Sequence, residues 1–194
     1  RNGFAWQDDP AHEFNRHPLL MTIGLIFLLG NNILIFRIFT SWKHNTLKLI
    51  HSGTHVGVFV FFVVALQAVF DSHNLNTTID EITNSTIPKP IPNMYSLHSW
   101  MGIITVVLFS MQWIAGFVMF LLPEGLRASA DLNRFTIRYK SFYMSVHTVF
   151  GLLIFVLGCA TALLGFTEKM IFLGDYSKKN LEGMLVNTMG ILII

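Results

Sequence analysis

The chain has 194 residues, the length of a single domain. Apolar residues make up 53% and charged residues only 12%, where a soluble domain carries about a quarter charged. A mean hydropathy of +0.56 excludes a water-soluble globule and a disordered chain alike, and a net charge of +2 gives no basis for nucleic-acid binding.

Five apolar runs follow in chain order. The first four are long enough to cross about 30 Å of hydrocarbon, which takes roughly 20 helical residues. They run from Pro18 to Phe39, Leu47 to Phe70, Ser96 to Leu122 and Ser141 to Phe166. The fifth starts near Gly183 and stops at Ile194 without a polar flank. Backbone groups in lipid must bond within their own segment, and no run alternates with period 2, so each is read as a helix. Pro18 is placed in the first turn of its helix, where a missing N–H is harmless, and Pro123 closes the third. Glu124 to Lys140 and the Pro-containing Asp71 to Tyr95 are read as loops. The fold class is therefore an all-α, multi-pass transmembrane helix bundle. The polar, Met-less opening and the truncated last run make residues 1–194 one domain incomplete at both ends.

Sidedness comes from the basic residues. We call the side on which the first helix begins X and the opposite side Y. Arg37, Lys43, Lys48, Arg127, Arg134, Arg138 and Lys140 lie on Y, against Glu124 and Asp131. X spreads Arg1, Arg16, Lys89, Lys169, Lys178 and Lys179 over about twice the length and carries most of the acidic residues, Asp8 and Asp175 among them. Y is read as cytoplasmic. Two N-glycosylation sequons, Asn76-Thr77-Thr78 and Asn84-Ser85-Thr86, fall in the same X loop and agree.

Eight histidines in such a chain are unusual, because ionisable groups inside a bilayer are costly. His17 and His98 fall at the X ends of the first and third helices. His51 and His147 fall near the Y ends of the second and fourth. Each side thus holds one pair drawn from two helices, the arrangement that suits a planar macrocycle with an imidazole above and below its iron. Zinc asks for more ligands close together. The single Cys159 leaves no route to c-type haem attachment, an iron–sulfur cluster or a disulfide. Gly102 and Gly151 each follow a histidine by four residues, on its face of the helix, and leave room for a porphyrin or serve helix packing. Gly53 and Gly57 flank His51 and His55 in the same sense. His55 lies one turn from His51 and competes with it as a ligand. His73 suits solvation or a substrate contact, and His12 and His44 read as loop residues. Arg37, Lys43, Lys48 and Lys140 would bind a small anion or haem propionates, or serve as ordinary flanking charges.

The segments Phe14-Asn15-Arg16-His17-Pro18, Ile35-Phe36-Arg37-Ile38-Phe39, Phe70-Asp71-Ser72-His73-Asn74, Asn93 through Trp100, Val146 through Gly151, and Ala160 through Lys169 resemble, in order, the cytochrome b561 family. The resemblance is to its animal branch of chromaffin-granule, lysosomal and duodenal members. It implies a six-helix protein with two bis-histidine b-type haems, often a homodimer. Such a protein takes electrons from cytosolic ascorbate and passes them to monodehydroascorbate or ferric iron. The family's ligands fall on His17, His98, His51 and His147. Its cytosolic contacts fall on Arg37, Lys48 and Lys140, and its lumenal ones on Asn93, Met94, Tyr95, Ser96 and Glu168. The family's first helix is missing here, and a family lysine is replaced by His44. Plasma, endosomal, lysosomal and secretory-vesicle membranes all fit. The rival reading is a histidine-containing transporter or channel without a redox cofactor.

Overall fold

The computed structural model describes residues 3–6, 9–122, 130–173 and 181–194, with the side chains of 172, 173 and 182 left out. Arg1, Asp8, Pro123, Glu124, Arg127, Asp175, Lys178 and Lys179, used above for sidedness or as a helix stop, lie outside the described residues.

Among the described residues, four helical spans are long and apolar enough to cross a membrane. The first, Pro10–Ile38, begins eight residues before the expected start and is built of α1 (Pro10–Phe14), α2 (Arg16–Met21), a π-helical stretch (Thr22–Leu28) and α3 (Leu29–Ile38). Asp9 caps it by accepting from the backbone N–H groups of Ala11 and His12, with Pro10 at the first helical position. The break at Asn15 has a cause in Pro18, whose ring clashes with the carbonyl four residues back, that of Phe14. Pro18 does stand in a first turn, but it is that of α2.

The second span is α4 (His44–Asn74), longer than expected at both ends. Within the loop that follows, β1 (Thr77–Ile79) pairs antiparallel with β2 (Thr86–Pro88), Thr78 facing Ile87. Three-residue strands are too short to show a period, so this hairpin escaped the sequence reading. Ser96 caps the third span, which runs through α5 (Leu97–Gly116) and a second π-helical stretch (Phe117–Leu121), close to expectation.

The fourth span, α6 (Ala130–Leu173), has 44 residues. At 1.5 Å per residue it is about 66 Å long, twice the hydrocarbon thickness, so it projects beyond the bilayer. This corrects the Y loop: residues 130–140, with Arg134, Arg138 and Lys140, belong to α6. The shorter apolar α7 (Leu181–Ile193) follows.

Leu25, Leu29, Val58, Phe62, Val106, Phe109 and Ile154 form the buried core, drawing on all four spans. Phe27, Val60, Val107, Leu152 and Val156 stay exposed, as expected where the solvent is acyl chain. Hydroxyls within the spans bond back one turn: Thr105 donates to Met101 O at 2.7 Å and Thr161 to Leu157 O at 2.8 Å. Phe109 joins the rings of His55, Phe59 and Phe62 at the centre. Phe109→Ala is expected to cost about 3–5 kcal/mol and to lower the thermal midpoint of the detergent-solubilised protein.

Candidate functional site

His17 on α2 faces His98 on α5 with ring centroids 6.0 Å apart. His51 on α4 faces His147 on α6 at 6.3 Å. These are the two expected pairs. An iron bound to an imidazole nitrogen at about 2 Å on each side, with each ring centre about 1.1 Å further out, sets centroids about 6 Å apart. His55 stacks edge-on against His51 at 4.6 Å and against Phe109 at 5.3 Å. Of these two histidines, His51 is the one whose ring meets that of His147, edge-on.

Ring orientation is set by the neighbouring helix. His17 Nδ1 donates to Ala65 O at 3.2 Å, His98 Nδ1 to Thr161 O at 2.9 Å and His51 Nδ1 to Asn32 O at 3.2 Å. A carbonyl only accepts, so each Nδ1 carries the proton and each Nε2 keeps a free lone pair, the form a metal ligand needs. The Nδ1 of His147 is buried with no partner, which marks the Y site as polar chemistry not completed by protein groups alone. Among the described residues no three His, Cys, Asp or Glu side chains gather for a metal ion. What the two ends offer is a pair of imidazoles each, a set that suits haem iron and falls short of a four-ligand structural zinc site.

Two glycines on facing helices make room for the rings. A Cβ at Gly165 of α6 would lie 2.8 Å from His98 Cε1, and one at Gly116 of α5 would lie 3.0 Å from His147 Cε1. Gly165 stands one turn after Thr161, so the missing side chain lets His98 reach the second lone pair of that carbonyl. By contrast, a Cβ at Gly102 or Gly151 would make only ordinary contact, and nothing lies within 4 Å of one at Gly53 or Gly57. The glycines that crowd against the pairs sit across from each histidine, not beside it.

Two side-chain amides, one buried and one half-buried and both unremarked in the sequence, hold the Y pair. The Asn32 side chain, on a residue 2% exposed, donates to His51 O at 2.8 Å while the Asn32 main-chain carbonyl accepts from the His51 ring. Gln112 donates to His147 O at 2.6 Å. The available signal was a polar side chain inside an apolar run.

At the X end, Asn93, Tyr95, Ser96 and Glu168 come together with His73. His73 Nδ1 donates to Asn93 Oδ1 at 2.8 Å, and Ser96 donates to Glu168 Oε2 at 3.1 Å. Desolvation, with a hydrogen bond to Glu168, pushes the Tyr95 hydroxyl up to about 12 although half its surface is exposed. Met94 takes a positive φ of 59°, which turns the chain between Asn93 and Tyr95. At the Y end Arg37 and Lys140 are exposed and Lys48 half-buried, and no described acidic side chain pairs with them. Lys140 stands two turns before His147 on the same face of α6, while Arg138 lies over the Tyr139 ring. An apolar groove of about 580 Å³ between α3, α6 and α7 is lined by residues such as Phe27, Phe155 and Leu192; no titratable side chain lines it, and it is separate from both pairs.

The eukaryotic cytochrome b561 model matches residues 16–173. The chain belongs to the cytochrome b561 family. It is 43% identical over 199 residues to the plasma membrane ascorbate-dependent reductase CYBRD1 of Xenopus tropicalis, covering 100% of this chain and 62% of that protein. It is 40% identical over 195 residues to the human transmembrane ascorbate-dependent reductase CYB561, covering 100% of this chain and 68% of that protein. The chain thus spans less than two thirds of the frog relative's length. Membership implies b-type haem, and the four apolar spans make this cytochrome b561 relative a multi-pass membrane protein.

Gly165→Ala is expected to disturb the X pair alone and Gly116→Ala the Y pair alone, each read as a change in one component of the reduced haem spectrum. Asn32→Leu removes the second hydrogen bond to the His51 carbonyl at a cost of about 0.5–1.5 kcal/mol, so a lowered thermal midpoint and weaker haem retention are expected.

Proposed function

We propose that this chain forms the core of a transmembrane ascorbate-dependent reductase. It would carry electrons from cytosolic ascorbate to monodehydroascorbate or ferric iron across the membrane. The observation that carries this reading is the two facing histidine pairs at opposite ends of one bundle, each with ring centroids at the separation that suits an iron between two imidazoles. Relatives named as ascorbate-dependent reductases support it.

The spacing of the two levels can be read along three helices. On α4, His51 and the His17 partner Ala65 are 14 residues apart. The same interval separates His98 from the His147 partner Gln112 on α5, and His147 from the His98 partner Thr161 on α6. At 1.5 Å per residue this is about 21 Å. Val58, Phe59, Phe62, Phe109 and Ile154 pack between the levels and keep water out of that layer. Such packing also disfavours the rival channel reading, which needs a wetted path.

His17 with His98, and His51 with His147, would hold one haem b each. Bound there, haem would supply a one-electron couple, the chemistry of electron transfer. The residues do the rest. Arg37, Lys48 and Lys140 attract an anionic donor and neutralise propionates on Y. Ascorbate there gives up one electron and one proton. On X, Asn93, Met94, Tyr95 and Ser96 shape the exit, and Glu168 offers a carboxylate to a ferric ion. Tyr95, its hydroxyl held up to about 12, stays protonated at neutral pH and acts as a donor. Assembly as a homodimer is part of the proposal, on the family resemblance.

His51→Ala or His147→Ala is expected to halve the haem content of the purified full-length protein and to abolish rapid reduction by ascorbate. Two haems per chain in either variant would refute the assignment.

A further inference from the structure

We propose that Asn84, and not Asn76, is N-glycosylated. This rests on the reading of the Asp71 to Tyr95 loop as lumenal. Both asparagines open an N-x-S/T sequon, but the hairpin separates them.

Asn76 stands two residues past the end of α4, so it lies no more than about 7 Å beyond the helix. Its amide is already used. Nδ2 donates to Lys89 O at 2.9 Å, and the Asn76 main-chain carbonyl accepts from Lys89 N at 2.9 Å. Asn76 thus closes the base of the hairpin and is half-buried.

Asn84 occupies the tip. It is exposed, has a positive φ of 51° that asparagine tolerates well, and its side chain makes no hydrogen bond to another described residue. Asp80 builds the turn that presents it. Asp80 Oδ1 accepts from Ile82 N at 3.1 Å, Oδ2 accepts from the Thr83 hydroxyl at 2.6 Å, and Asp80 O accepts from Asn84 N at 2.9 Å. The sequon hydroxyl, Thr86, opens β2 and is exposed. Four residues at about 3.3 Å each carry the tip about 13 Å beyond Asn76. Attachment occurs as the chain emerges, so reach from the membrane counts along with the folded contact.

The transfer uses a lipid-diphosphate-linked oligosaccharide as co-reactant. A bond forms between Asn84 Nδ2 and the anomeric carbon, the bond from that carbon to the diphosphate oxygen breaks, the lipid diphosphate leaves, and Nδ2 loses one proton. The glycan would also cover Ile82, 94% exposed, and Ile79, 65% exposed, apolar side chains that otherwise sit beside an unprotected hairpin edge.

The test is expression of the full-length chain in cells with a secretory pathway, followed by peptide-N-glycosidase treatment and peptide mass spectrometry. One glycan is expected. Asn84→Gln and Thr86→Ala should each remove it, and Asn76→Gln should leave it in place. A glycan on Asn76, on both or on neither overturns the proposal. Glu81→Cys in a Cys159→Ser background, probed with a membrane-impermeant maleimide on sealed vesicles, separates the two ways of failing. A lumenal loop without sugar at Asn84 defeats this inference alone, whereas a cytosolic loop defeats the topology with it.

Discussion

An imidazole inside hydrocarbon gains from a partner for its Nδ1–H, and for three of the four paired histidines that partner is a main-chain carbonyl on another helix. Ala65, Thr161 and Asn32 supply it for His17, His98 and His51. A helix carbonyl already accepts one intrahelical bond but has a second lone pair. Using it requires close approach of ring and backbone, and so constrains helix distance, rotation and height together. Much of the bundle's geometry can be understood as meeting that constraint.

Close approach explains where small residues fall. Gly165 and Gly116 face rings on the opposite helix, where a Cβ would collide with His98 and press tightly on His147. The same demand explains the amides. Asn32 and Gln112 fasten the backbone of the Y histidines from outside, so the rings there are held by side chains as well as by packing. The X pair is held by main-chain carbonyls alone, beside a polar cluster in which Ser96 and Glu168 tie α5 to α6. One end of the bundle is thus braced from within and the other through its surface.

The repeated 14-residue interval links the ends. Because α4, α5 and α6 carry it together, the two levels stay parallel, and the aromatic layer of Phe59, Phe62 and Phe109 fills the space between them. The Trp113 indole donates to Ser52 O at 3.3 Å and adds a further tie between α5 and α4 at the Y end of that layer.

The four membrane spans were legible in the sequence because lipid imposes a length and an apolar composition that no other environment demands of 20 consecutive residues. Alternating helix direction then sorted His17 with His98 and His51 with His147. What lay beyond the sequence was everything that depends on rotation about a helix axis. Periodicity put Gly102 and Gly151 on the histidine faces, but which glycine meets a ring depends on the helix opposite, and that was Gly165 and Gly116. Helix ends outside the hydrocarbon, such as residues 130–140 of α6, lack the apolar signal and were read as loop. The β1–β2 hairpin was hidden by its three-residue strands. Composition and order alone determined the bundle and its histidine pairing, since burial in lipid is a one-dimensional requirement. The choice of His51 over His55 was open on spacing alone and followed from the family resemblance; in the structure the His51 ring is the one that meets His147. The amide braces and the facing glycines were decided only by the tertiary structure, because they are set by the angle at which each helix presents its face to the next.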